Sequence, residues 1–356
     1  MSETLEGMKL KLSGNLESQA RENCLVSVII PTKNRLLLLR ETLESLFRQT
    51  YFSWEALIVD DGSTDGTKEF VSGLSENDSR FRYLPRKDQP PGASSCRNIG
   101  ISEARGDYVI FLDSDDLLAP ECLEGRLEVM RKGTCDCVVF LTQAFHQKPG
   151  DLQLLWNDFN EGDDLDRFLS HDMPWSTTGP MWRREVLERI GPWDGDCESG
   201  QDLEFHIRAL ASGLNYTKVS VVDSFWRESR PDAISHGWGK RANLMNRTEM
   251  LGRIGSMLKK RELLPPARRR RLALAYYRNA FVLCPDNRLM LQIWNNGLRH
   301  GVVTGWEWFF LMGAEVFFRI ARKLHAAALI RLYPESSIRS THLKISLPVD
   351  STLTPR

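Results

Sequence analysis

The chain has 356 residues, 42% of them apolar and 26% charged, and its 47 basic and 47 acidic side chains leave a formal net charge of zero. That length exceeds one average domain and the apolar share supports a real core, which excludes a disordered or fibrous chain. Seven cysteines, an odd number set mostly inside apolar runs, exclude a disulfide framework and point to reduced thiols, while Cys135-x-Cys137 has the wrong spacing for a zinc knuckle and no second pair.

Met1 to Asn23 is polar and lacks the apolar core of a signal segment. Val26 to Ile30 is a β-branched run stopped by Pro31, and Leu36, Leu39, Leu43, Leu46 and Phe47 then repeat at helical spacing. Trp54 to Val59 predicts a second strand, Asp65 to Leu74 a short helix and Phe81 to Leu84 a third strand. Ser94 to Ala104 reads as a helix closed by Gly106, followed by a strand over Tyr108 to Leu112, a helix over Pro120 to Met130 and a strand over Cys137 to Leu141. Residues 145–180 have little periodicity but many polar and aromatic side chains, the pattern of a binding loop or lid. Helices are predicted over Arg183 to Ile190 and Leu203 to Ala211, and a strand over Asn215 to Val222. Strands that alternate with helices and read as continuous apolar runs imply an α/β fold with a doubly wound, mostly parallel sheet.

Two apolar runs end in acid: Leu57-Ile58-Val59 in Asp60-Asp61-Gly62-Ser63, and Tyr108 to Leu112 in Asp113-Ser114-Asp115-Asp116. In an open sheet, ligands sit beyond the carboxyl ends of strands, where both clusters lie. Carboxylates so close repel one another unless a cation joins them. Asp oxygens suit Mg²⁺ or Mn²⁺, and a divalent metal carrying a nucleotide diphosphate is the natural counter-charge. Blander readings compete: Asp60 to Ser63 is good turn chemistry, and Asp113 to Asp116 could cap the following helix. A dehalogenase-type phosphatase also places Asp-x-Asp after a strand, but Leu117 and Leu118 fit its pattern poorly.

Residues from about 25 to 236 resemble family 2 glycosyltransferases with the GT-A fold, a Rossmann-like doubly wound sheet. The stretches that carry the resemblance are Val26 to Thr32, Val59-Asp60-Asp61-Gly62-Ser63-Thr64-Asp65, Arg97-Asn98-Ile99-Gly100, Phe111 to Asp116, Thr178-Gly179-Pro180-Met181 and Gln201-Asp202-Leu203-Glu204-Phe205. Each alone is a weak signal; their order and spacing make them specific. The resemblance implies that Thr32 and Asp61 contact the base of a sugar nucleotide, with Pro31 beside them and Asp60 in support. It implies Asp115 as metal ligand, Asp113 as ribose or metal contact with Ser114 next to it, Arg97 as a cation near the pyrophosphate or base, and Asp202 as general base. His236 would be a third metal ligand on a closing loop, against the reading of a surface histidine. Gln201 stands where the family commonly has Glu, with Glu198 and Glu204 as fallback bases, and Asp202 could instead cap a helix starting at Leu203. Trp175 reads as acceptor-facing or as core; Arg227 and Arg230 as a phosphate clamp or as a solvated loop.

The implied function is a metal-dependent inverting transfer of a sugar from a UDP-sugar, with Mn²⁺ or Mg²⁺, to a hydroxyl of a glycan or lipid-linked acceptor, as in cell-surface polysaccharide synthesis. A non-catalytic nucleotide-sugar-binding module of the same fold is the alternative, and Gln201 favours it. A nucleotidyltransferase would need a Gly-rich loop, and Pro31-Thr32-Lys33-Asn34-Arg35 has no glycine.

The zero net charge hides an asymmetry: residues 1–236 hold 26 basic against 40 acidic side chains, and residues 237–331 hold 18 against 5. Helices are predicted over Met245 to Lys260, Pro266 to Leu283 and Leu289 to Leu298, with Arg268 to Arg271 the densest basic run. Trp306 to Ile330 is aromatic and basic but is interrupted by Glu307 and Glu315, so it fails as a bilayer span and suits an interfacial helix at an anionic surface. A helical appendage packed on the rest is the competing reading, and no nucleic-acid module surrounds the arginines. The expected divisions are a polar tail over 1–23, a catalytic domain over 24–236, a basic helical extension over 237–331 and a C-terminal tail over 332–356. The expected location is cytoplasmic, peripheral to the inner face of the cell membrane.

Overall fold

The computed structural model describes residues 24–228, 241–279 and 287–307. The expectations for His236, Arg230, residues 1–23, residues 332–356 and most of the 306–330 stretch lie outside those residues. In chain order the elements are β1 (Val26–Thr32), α1 (Leu36–Phe47), β2 (Trp54–Asp60), α2 (Thr67–Asn77), β3 (Phe81–Pro85), α3 (Ala93–Glu103), β4 (Tyr108–Phe111), β5 (Leu117–Leu118), α4 (Cys122–Lys132), β6 (Cys137–Phe145), β7 (Leu154–Leu155), α5 (Asp164–Leu169), β8 (Pro180–Arg183), α6 (Arg184–Ile190), α7 (Gln201–Ala211), β9 (Tyr216–Arg227), α8 (Arg241–Lys260), α9 (Pro266–Tyr277) and α10 (Asn287–Arg299). They fall into two compact units. The first ends at Phe140 and adds Thr177–Pro192 and Asn215–Ser224; the second comprises Leu141–Ser176, Trp193–Leu214 and the chain from Phe225 onward.

In the first unit the strand order is β3-β2-β1-β4-β8-β6-β9-β5. β3, β2, β1 and β4 run parallel, as continuous apolar strands require when both faces are covered. Beyond β4 the sheet turns mixed: β8 lies antiparallel to β4 and to β6. The expected mostly parallel sheet is thus correct for its first four strands, and β8 comes from a stretch whose sequence has no strand alternation, so pairing with neighbours rather than local propensity makes it a strand. β1 and β2 are buried throughout, and α1 covers them with Leu39, Leu43 and Leu46. α3 lies so close to β1 that a Cβ on Gly100 would sit 2.3 Å from Ile29 Cγ2. Arg126 is fully buried: Nε and Nη2 donate to the two oxygens of Asp223 at 2.7 Å each, and Nη1 donates to the Thr178 carbonyl at 2.8 Å. Burial pushes the Asp223 carboxyl up against the pull of Arg126.

In the second unit, the stretch read as irregular contains β7 and α5. Asp163 accepts the Asp166 amide as the cap of α5, a start signal weakened in the sequence by the brevity of the helix. Trp175 is fully buried, edge-on to Phe168 and His206 at 4.9 and 5.8 Å, and Trp193 stacks on Phe205 at 4.1 Å. The acceptor-facing reading of Trp175 is therefore wrong; it is core.

The basic run of α9 also has a local use. Arg268 pairs with Asp163 at 3.0 Å and Asp166 at 2.7 Å, Arg271 donates to Ser170 Oγ at 3.0 Å, and Arg269 holds Glu307 through two bonds of 2.7 and 3.0 Å. Glu307, one of the residues that spoil the apolar stretch, forms a capping box with Thr304: its Oε2 accepts the Thr304 amide at 2.8 Å, and Thr304 Oγ1 accepts the Glu307 amide at 3.2 Å. Among the described residues no helix is long and apolar enough to cross a membrane.

Gly100→Ala should destabilise the protein by about 1–3 kcal/mol, because the added methyl must push α3 off β1. Urea unfolding checks this; wild-type stability in the variant would mean that the α3–β1 approach is looser than described.

Candidate active site

β1 and β2 end side by side, with Thr32 opposite Asp60 in register, and the Asp61 amide donates to the Thr32 carbonyl at 2.9 Å. The loop after β2 is a turn, as its composition allowed: Gly62 takes φ 84°, and Asp60 Oδ1 accepts the Ser63 amide at 3.0 Å. The other oxygen of Asp60 accepts the Tyr83 hydroxyl at 2.8 Å. Turn and candidate site are thus one structure. The loop after β1 locks onto it. Asn34 adopts φ 50°, donates its amide to Ser63 Oγ at 2.9 Å and accepts the Thr64 amide at 2.8 Å. Asparagine tolerates that left-handed backbone, so this loop needs no glycine. Asp65 then accepts the Leu36 amide at 2.8 Å and the Thr67 amide at 3.2 Å, tying the starts of α1 and α2 together.

Asp61 is 7% exposed. Burial alone would push its carboxyl up, but Arg86, Lys33 at 3.1 Å and the Gly92 amide outweigh burial and hold it below the usual carboxylate range. At the end of β4, Arg97 from α3 donates to Asp113 Oδ1 at 2.7 Å, and Arg35, the residue preceding α1, donates to Asp115 Oδ2 at 3.3 Å. Asp116 differs: it is buried, its carbonyl accepts Thr42 Oγ1 at 2.9 Å and its carboxylate accepts Thr178 Oγ1 at 3.3 Å, so it anchors the acidic loop. Ser114 is buried between the two partly exposed carboxylates of Asp113 and Asp115, and Pro31 is buried in β1. Thr32 Oγ1 and Ser94 Oγ are buried without a hydrogen-bond partner. Buried hydroxyls rarely stay unsatisfied, which makes the end of β1 a place where a ligand would bond.

Thr32, Asp60, Asp61, Arg97, Asp113 and Asp115 therefore lie at the carboxyl ends of β1, β2 and β4 or on the helix beside them, joined by the bonds above. Lys33, Arg35 and Arg86 were not singled out from sequence, although Lys33 and Arg35 follow Thr32 directly and could have been found as the cations nearest both clusters. Asp202 belongs to the second unit. It does not cap a helix starting at Leu203: α7 starts at Gln201 with Gly200, φ 79°, as its cap, and Asp202 lies in the first turn, where Oδ1 accepts the Leu203 amide at 2.9 Å. Of the fallback bases, Glu204 is engaged by Arg208 through two bonds of 2.8 Å, and Glu198 is exposed. Arg227 lies over the Phe145 ring, 4.5 Å from its centroid.

Asp113 and Asp115 offer hard oxygen donors, and among the described residues no group of three or more His, Cys, Asp or Glu side chains could hold a metal. A cation at these two carboxylates would complete its shell with phosphate oxygens and water, the manner in which Mg²⁺ and Mn²⁺ are commonly held, so the residues present fit such an ion.

Residues 27–191 match the family described as glycosyl transferase family 2. An uncharacterized glycosyltransferase of Rickettsia felis is 41% identical over 121 residues, 34% of this chain and 20% of that protein. The GalNAc(5)-diNAcBac-PP-undecaprenol beta-1,3-glucosyltransferase of Campylobacter jejuni is 34% identical over 108 residues, 30% of this chain and 35% of that protein. Among solved structures, S. aureus TarS 1-349 in complex with UDP-GlcNAc superposes with a TM-score of 0.60 at 18% identity, over 76% of this chain and 79% of that one. The mannosyltransferase PcManGT of Pyrobaculum calidifontis, in complex with GDP-Man and Mn²⁺, gives 0.51 at 17% identity, over 89% and 86%. The fold is the GT-A fold, and the match to glycosyl transferase family 2 covers residues 27–191 of this chain. The chain spans about a fifth of the length of the Rickettsia felis relative and about a third of the Campylobacter one.

Arg86→Ala should destabilise the protein by about 1–2 kcal/mol at pH 7, by removing a charge-assisted bond from a buried carboxylate. Because Asp61 titrates below its ordinary 3.8, the stability its partners lend is full above that value and is lost as the pH falls through the folded-state pKa. The gap in urea midpoint between variant and wild type should therefore narrow below about pH 3.8; a gap independent of pH would mean that Arg86 acts by packing.

Proposed function

We propose that this chain is a divalent-metal-dependent, inverting glycosyltransferase that takes a sugar from a UDP-sugar and passes it to a hydroxyl of a glycan or lipid-linked acceptor. One observation carries the reading: Lys33 and Arg35, two residues apart after β1, bind Asp61 and Asp115, so one loop joins both acidic clusters at the carboxyl end of a parallel sheet. Thr32, with its unsatisfied hydroxyl, and Asp61 would receive the base, Arg97 would meet the pyrophosphate, and Asp113 and Asp115 would hold Mn²⁺ or Mg²⁺. When bound, the metal supplies charge stabilisation to the departing diphosphate. The UDP-GlcNAc of the TarS complex supports the donor class, the Mn²⁺ of the mannosyltransferase complex supports the metal, and the undecaprenol-linked substrate in the Campylobacter protein's name supports the acceptor class.

Asp202 would take the proton from the attacking hydroxyl. A general base must be ionised before it acts, and the first turn of α7 favours the charged form through the partial positive charge of the helix start. Gln201 in place of a second carboxylate removes the like charge that would otherwise raise its proton affinity.

Calorimetry and a UDP-release assay with UDP-sugars and Mn²⁺ test the reading. Asp115→Ala should weaken metal-dependent UDP binding by about tenfold or more, the scale of a lost metal carboxylate; unchanged affinity rules out the metal site. Asp202→Asn should lower UDP release by about 10²–10⁴-fold while UDP affinity stays near wild type. Nucleotide binding by the wild-type protein with no release under any acceptor would support the non-catalytic module instead.

A further inference from the structure

Asp115, the carboxylate on which the proposed metal would sit, is already held by a cation of the chain itself. Arg35 donates to Asp115 Oδ2 at 3.3 Å, with about a quarter of the arginine side chain and a sixth of the aspartate exposed. The backbone on either side of Arg35 is pinned: Asn34 is bonded to Ser63 and Thr64, and the Leu36 amide to Asp65. Its guanidinium reaches Asp115 from the end of a long side chain. Arg97, by contrast, is 5% exposed on its side chain and holds Asp113 from within α3.

We propose that Arg35 is a placeholder cation. In the nucleotide-free protein it neutralises Asp115; when metal and diphosphate arrive together, it cedes the carboxylate to the metal and pairs with diphosphate oxygens. This rests on Asp115 being the metal ligand of the proposed function. The physics makes metal binding conditional on nucleotide. A metal alone would evict the guanidinium and leave two cations competing for one carboxylate. A metal that comes with a diphosphate brings its own anion, and a guanidinium fits two phosphate oxygens at once. The unsatisfied Thr32 hydroxyl, three residues earlier, independently marks this strand end as a place where a ligand group is missing a partner.

The full chain, its Arg35→Ala variant and the Arg35→Lys variant are titrated with Mn²⁺ alone, using the electron paramagnetic resonance of free Mn²⁺, and then with UDP and with uridine in the presence of Mn²⁺ by calorimetry. Arg35→Ala should bind Mn²⁺ alone about two- to fivefold tighter, the worth of a partly exposed ion pair. It should bind UDP with Mn²⁺ about tenfold more weakly, the worth of a charge-assisted bond, while uridine binding is unchanged. Arg35→Lys, which keeps the charge but not the fork, should fall between, and serves in its place if the alanine variant does not fold. Mn²⁺ affinity unchanged or weaker in Arg35→Ala overturns the placeholder while wild-type UDP binding leaves the proposed function standing. Wild-type protein that binds no UDP with Mn²⁺ overturns both.

Discussion

Four carboxylates, Asp60 and Asp61 at the end of β2 and Asp113 and Asp115 at the end of β4, flank the end of β1 between them, and the fold around them is shaped by the need to keep that charge from driving the strand ends apart. Sequence reasoning assigned the whole counter-charge to a metal. In the structure the chain carries its own: Lys33 and Arg86 on Asp61, Arg97 on Asp113 and Arg35 on Asp115, with Asp60 bonded instead to a tyrosine and a turn. These cations come from the loop after β1, from just past β3 and from α3, so the elements flanking the carboxylates also neutralise them. A site built this way is stable before any ligand arrives. Under the proposed function it would bind by exchanging internal salt bridges for ligand bonds, which costs less than ordering a loose loop.

Much of the sheet was legible because parallel strands buried on both faces have no choice but to be continuous apolar runs: β1, β2 and β4 were found within a residue or two. β3 was legible for another reason, since Phe81 to Leu84 is short but bounded by turn residues. What escaped was whatever depends on partners. β5 and β7 are two residues each, and β8 is an ordinary stretch made into a strand by lying between β4 and β6. Residues 145–180 lack periodicity because their ordering runs through side chains: Asn157 accepts the Thr142 amide at 2.9 Å and donates to the Pro174 carbonyl at 2.9 Å, and no pattern of apolar spacing announces such bonds.

The acidic half of the candidate site was legible in the sequence and, Arg97 apart, the basic half was not, for a physical reason. Two adjacent carboxylates after an apolar run are rare unless something holds them, so their presence is informative. An arginine is common on any surface, and what makes Arg35 or Arg86 special is which oxygen its guanidinium reaches. The same limit left Trp175 open between an acceptor-facing role and core. An aromatic residue in a polar segment suggests a sugar-facing platform, yet Phe168 and His206 enclose it. Glycine was more honest: in Arg97-Asn98-Ile99-Gly100, position 100 has no room for a methyl, so that motif records a helix–strand approach as well as a charge.

The basic tail shows how charge counted along a chain differs from charge in space. The division into an acidic front and a basic tail assumed that the two stretches stay apart, but the second unit draws on residues 141–176 and 193–214 as well as on the chain after Phe225. Asp163, which caps α5, and Asp166 in its first turn, both counted with the front, bind Arg268; Asp194 binds Arg253 at 2.7 Å; Glu307 binds Arg269. Each of these arginines is satisfied within its own unit. An anionic surface would have to compete with carboxylates already in place, and exposed ion pairs yield little energy when one anion merely replaces another. Arg268 and Arg271 thus tie α9 to α5 and the residue after it, while Arg253 of α8 holds Asp194 and Arg269 of α9 holds Glu307.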